Sequence, residues 1–125
     1  MILDGHIHIF RGDNEPAAFL QRLEQAGVSG GIVLSLAPPT FAAFAEPVPA
    51  AERLDELMSV VAASPSLYPF YWVDPMEADA VEQVEAAVER GVAGFKIICH
   101  SYYPGDARAM ELYRRRTLDT LGQKP

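Results

Sequence analysis

The sequence has a single cysteine, Cys99, among 125 residues. An internal disulfide is therefore excluded, and a lone thiol suits a reducing, cytoplasmic compartment. Basic charge is also scarce: 10 Lys and Arg stand against 17 Asp and Glu, giving a formal net charge of −7. That balance argues against nucleic acid as a partner, because non-specific binding needs a basic surface. No apolar run approaches the ~18 residues of a membrane span, and no basic N-terminus leads into an apolar stretch as in a signal peptide. A phosphate loop, a GxSxG nucleophile elbow and a CxxC pair are all missing. What remains is a chain 50% hydrophobic and 22% charged, enough for a packed core in one unit spanning residues 1–125.

The apolar residues fall into a rhythm. "ILDGHIHIF" (2–10) reads as a strand. In "RGDNEPAAFLQRLEQAG", Asn14 can cap a helix with Pro16 in its first turn; Phe19, Leu20 and Leu23 form its apolar stripe. "GGIVLSL" (30–36) suits a strand buried on both faces, and a Pro- and Phe-containing loop follows. A helix with Leu54, Leu57, Met58 and Val61 inward precedes "LYPFYWVDP" (67–75), an aromatic strand that Pro69 limits at its start. "MEADAVEQVEAAVERG" is a helix with Val81, Val84 and Val88 inward, stopped by Gly91. "AGFKIICH" (93–100) is the fourth strand, and a helix begins after "YYPG". Four strands alternating with four helices predict an α/β fold with a parallel sheet of (β/α) repeats.

The chemistry-bearing residues collect on the first, third and fourth strands. Asp4, His6 and His8 share a parity, so alternation places them on one face. Two imidazoles at that spacing can converge on one ion at about 2.0 to 2.1 Å each, and Gly5 between them permits close backbone approach. The alternative is a pair of core histidines, which would be costly to bury side by side unpaired. Lys96, Ile98 and His100 share one face of the fourth strand, with Cys99 on the other, toward the core. A lysine inside a buried strand calls for a reason. It forms a salt bridge to an inward acid such as Asp4 or Asp74, reacts with carbon dioxide to become an anionic carbamate ligand, or stabilises a substrate oxyanion. Asp74, before Pro75, either caps a following helix or joins the chemistry at the same rim. Phe41 and Phe44 wall a pocket or pack down, and the Arg114–Arg116 run reads as a solvated helix face.

"LDGHIHIF", "VDP" (73–75) and "GFKI" (94–97) together resemble the amidohydrolase superfamily of metal-dependent hydrolases, most closely its amidohydrolase-2 branch, which includes decarboxylases. The resemblance implies a TIM (β/α)8 barrel. It implies His6 and His8 as ligands of a divalent metal, zinc first, with manganese or iron as alternatives. Lys96 matches the strand-four lysine that is carbamylated in binuclear branches, and Asp74 lies beside it as a second catalytic candidate. The small-molecule substrate would undergo C–N or C–O hydrolysis or decarboxylation. The family's remaining ligands, a His on each of strands five and six and an Asp on strand eight, would lie beyond Pro125. The chain thus reads as the first four units, weak or inactive alone, with a homodimer as one way to complete the ring. A non-catalytic α/β binding or assembly module with relic ligands is the alternative reading.

Overall fold

A computed structural model describes residues 1–12, 15–41, 47–99 and 102–122, with side chains to residue 114. Asn14, Phe44 and His100 therefore lie outside the described residues. The elements are β1 (Leu3–His8), α1 (Pro16–Gln25), β2 (Gly30–Leu34), α2 (Ala50–Val61), β3 (Leu67–Trp72), α3 (Ala80–Arg90), β4 (Gly94–Lys96) and α4 (Ala107–Gly122). The strands form one parallel sheet in the order β1-β2-β3-β4. This is the expected α/β alternation, and the strand order never reverses.

Each helix packs on the next, α1 on α2, α2 on α3 and α3 on α4. The helices cover one face of the sheet. Ile7, Ile9, Val33 and Tyr71 from the strands join Phe19, Leu57, Val60, Ala87 and Leu112 from the helices in a single core. Removing this apolar surface from water at roughly 25 cal/mol per Å² is the main favourable contribution to folding. The opposite face is partly open: His6 and His8 are exposed, and Phe10 and Tyr68 retain 69% and 47% of their surface, while Trp72 on the same side is buried.

Local chemistry departs from the sequence expectations at several points. Glu15 caps α1, its carboxylate accepting the N–H groups of Ala17 and Ala18 at 3.2 and 2.7 Å. The third helix starts at Ala80, not Met76, because residues 74–77 form a separate turn closed by the Glu77 N–H donating to the Asp74 carbonyl. Pro69 is tolerated inside β3. Its carbonyl accepts from Ala93 at 2.8 Å, so its missing N–H faces the same side, where β4 has not yet begun. Close backbone approach occurs at Gly31 rather than Gly5. A Cβ on Gly31, whose φ is +146°, would stand 1.8 Å from the Asp4 carbonyl, while one on Gly5 would meet nothing within 4 Å. Cys99 is exposed rather than in the core, because β4 ends at Lys96 and strand parity no longer governs residue 99.

Candidate functional site

The register of β1 against β2 shifts between Asp4 and Ile7, a local irregularity in the segment that carries the histidines. Within it the Asp4 carboxylate turns back to accept the His6 backbone N–H at 2.9 Å. Asp4 therefore fixes the backbone of its neighbour and does not project beside the two rings. His6 and His8 do share the open face, and their Nε2 atoms lie 2.8 Å apart with ring centroids 4.6 Å apart.

Lys96 approaches from the far edge of the sheet. Its Nζ is 3.2 Å from His6 Nε2 and 4.6 Å from the centroid of the Trp72 ring. The placement follows from the ladder, since Trp72 and Lys96 are direct partners in the β3–β4 register. No carboxylate pairs with Lys96 among the described residues, so neither Asp4 nor Asp74 is its salt-bridge partner. The Nε2 of His6 lies within hydrogen-bonding distance of both groups, and its single lone pair or N–H serves one of them at a time, according to the tautomer. Burial first, then the His6 ring and the Lys96 ammonium, hold His8 below the usual imidazole value. Burial likewise lowers the Lys96 amine below the ordinary lysine value. Both shifts favour neutral nitrogen, the form that donates a lone pair.

The nitrogen cluster borders a cavity of about 480 Å³ at the C-terminal rim of the sheet. Phe10, Phe41 and Trp72 supply aromatic walls, and His8, Arg11 and Lys96 supply the polar groups. Phe41 meets Trp72 with the rings tilted and their centroids 5.1 Å apart, and it lines the pocket. Ser35 holds the floor, its hydroxyl accepting the Trp72 backbone N–H at 2.9 Å. Trp72, Phe10 and Ser35 escaped the sequence reading. Trp72 was legible only as an aromatic in a strand; its partnership with Lys96 depends on register.

Asp74 is not among the residues lining this cavity. It is 4% exposed, and its Oδ1 accepts the Met76 N–H at 2.8 Å. Asp74 thus closes the turn after β3 and does not cap a helix at Pro75, because α3 begins only at Ala80 with Asp79 at its N-cap.

The two histidines suit an ion as an adjacent pair. With metal–nitrogen bonds of about 2.05 Å, a separation of 2.8 Å subtends roughly 86° at a shared ion, near the octahedral right angle. A tetrahedral pair needs roughly 3.3 Å, which exposed side chains reach by a small rotation. Among the described residues, no three His, Cys, Asp or Glu side chains converge as a metal-binding group. The protein thus presents two histidine donors and an amine. Comparison of the chain with protein-family models, with curated proteins and with solved structures finds no match. Among the described residues, no helix is long and apolar enough to cross a membrane.

Proposed function

We propose that the chain forms the first four units of a TIM-type (β/α)8 barrel of the amidohydrolase superfamily and carries half of a metal-dependent hydrolase site. The observation that carries this reading is the convergence of His6 Nε2 and His8 Nε2 at 2.8 Å, with Lys96 Nζ 3.2 Å from His6, at the rim of a parallel β/α sheet. Substrates in α/β proteins bind at that rim.

In this reading His6 and His8 hold a divalent ion, zinc first. When bound, such an ion lowers the pKa of a coordinated water toward ~7 and polarises a carbonyl or carboxyl oxygen. Asp4 keeps β1 in the shape that aims both rings by accepting the His6 N–H. Lys96 supplies either an amine that stabilises developing negative charge or, after reaction with carbon dioxide, a further oxygen ligand. The aromatic walls exclude water and orient a small substrate beside the amine. Ser35 fixes Trp72, and through it the seat of Lys96.

The absence of a third His, Cys, Asp or Glu donor among the described residues favours a second reading, a non-catalytic module whose histidines are relics. Metal analysis separates the two. After dialysis against zinc and gel filtration, the wild type should retain the ion in stoichiometric amount and His6→Ala should retain none. A wild type that elutes free of zinc, manganese and iron would leave only the module.

A further inference from the structure

We propose that Lys96 is a nucleophile whose Nζ condenses with the carbonyl of a small aldehyde or ketone to form an imine. His6 carries the protons, and the cavity beside Trp72 seats the apolar body of the carbonyl compound.

A lysine inside a strand calls for a partner, and among the described residues no carboxylate supplies one. Two other groups meet the amine. Its Nζ lies 3.2 Å from His6 Nε2 and 4.6 Å from the centroid of the Trp72 ring. A lysine placed for an ion pair faces an acid. A lysine whose nitrogen meets a histidine nitrogen at hydrogen-bonding distance has the geometry of a nucleophile with its base.

The same amine forms part of the wall of the 480 Å³ cavity, together with Phe10, Phe41 and Trp72. That volume suits a small organic molecule. A ring or a short branched chain packs against these aromatic side chains and brings a carbonyl attached to it to the amine. The aromatic walls therefore select an apolar carbonyl compound over a sugar-like one.

Each step of the condensation has its group in place. The Nζ lone pair attacks the carbonyl carbon, the N–C bond forms, and the C=O π pair moves to oxygen. One N–H proton passes to that oxygen by way of His6 Nε2, giving a carbinolamine. The nitrogen pair then expels hydroxide, which takes a proton from His6 and leaves as water. The cationic C=N group returns that proton to the histidine. Nothing is oxidised or reduced, and no co-reactant enters. The cationic intermediate forms where the Lys96 nitrogen now lies, over the face of Trp72, which stabilises positive charge.

The step uses the His6 Nε2 lone pair, which a metal ion takes under the proposed function. Imine formation therefore belongs to the metal-free protein and stands or falls separately from the hydrolase reading.

The chain carries three primary amines, the α-amine of Met1, Lys96 and Lys124, so each serves as a control for the others. Wild-type protein in EDTA is incubated with benzaldehyde and sodium cyanoborohydride, which reduces an imine to a stable secondary amine. Peptide mass spectrometry then locates every benzyl group. Lys96 should be labelled at least about tenfold faster than either other amine. Acetaldehyde, which has no ring to seat, should label Lys96 with a smaller preference. His6→Ala should slow labelling at Lys96 by about tenfold and leave the other two amines unchanged. The comparison among amines is made within the wild type and so needs no variant to fold. Labelling of Lys96 no faster than Lys124 or Met1 overturns the proposal. So does an equal preference with acetaldehyde, or a His6→Ala protein labelled at the wild-type rate. Retention of zinc by a protein that fails this test would leave the metal reading standing.

Discussion

Two cations approach Trp72 from opposite faces of the sheet, and they do different work. Arg53, on α2, is fully buried. Its guanidinium donates to the Trp72 carbonyl at 3.0 Å and to Gln83 Oε1 at 3.2 Å, and lies over the Tyr71 ring at 5.2 Å. Tyr71 donates to the same Gln83 oxygen at 2.8 Å, and Gln83 donates onward to Asp79 at 2.8 Å. Burial pushes the Tyr71 hydroxyl up to about 12, although the Arg53 charge opposes the shift. Lys96, on the open face, has one histidine nitrogen and an aromatic ring for company. The helix side connects its polar groups into a network, which makes that face structural. The open side gathers two exposed imidazoles and an amine in contact with one another, where they can meet a ligand.

The contrast breaks most visibly through Arg53. Arg53→Met should cost about 3 kcal/mol or more in urea unfolding, because the Trp72 carbonyl and Gln83 lose charged donors in a dry site. His6→Ala, on the other face, should shift the same curve by less than about 0.5 kcal/mol while eliminating zinc uptake. Equal losses in the two variants would show that the faces are not divided into structure and function.

Gly31→Ala should cost about 2 to 3 kcal/mol. The new methyl meets the Asp4 carbonyl and the φ of +146° resists any side chain. Because Gly31 pairs with Asp4 beside the histidine segment, zinc uptake should fall with it; uptake at the wild-type level would separate the β1 shape from the site.

The pH dependence of the helix side sharpens the comparison further. Burial raises Glu77 above the usual carboxylate value, against the opposing pull of Arg53. A raised folded-state value means the protonated form is favoured on folding. That contribution is fully present below the unfolded value of 4.5 and is lost as pH rises through the folded one. Glu77→Gln should therefore be more stable than wild type at pH 7 by less than about 1 kcal/mol, with the gap closing near pH 4. A constant difference across that range would contradict the assignment. The smallest effect belongs to the surface pair of Arg90 and Asp55, whose side chains are 45% and 66% exposed. Asp55→Asn should change stability by about 0.5 kcal/mol or less.

Much of this was readable in advance. The alternation of apolar strands and amphipathic helices gave the parallel sheet, and His-x-His in "ILDGHIHIF" gave two rings on one face. Element lengths were not readable, because a strand lasts only as long as a neighbour pairs with it. Hence β4 stops at Lys96 and Cys99 escapes its expected side. Asp74 illustrates a second limit: a carboxylate before Pro75 reads as a helix cap or a catalytic group, whereas its Oδ1 accepts the Met76 N–H in a turn and the residue does not line the cavity. Arg53 illustrates a third. A charged residue within an apolar helical stripe reads as surface until its buried acceptors, Trp72 and Gln83, come from other elements.

The order of residues along the chain determined which face of β1 the two imidazoles occupy, since alternation is a local property of an extended backbone. It likewise determined which residues of each helix are apolar, through the helical repeat. Tertiary structure decided that Lys96 lies beside His6, across 90 positions of chain. It also decided that Gly31 must be glycine and that one face of the sheet is covered by helices while the other is left partly open. Those outcomes depend on register and on which surfaces meet, and neither is set until distant segments pack together.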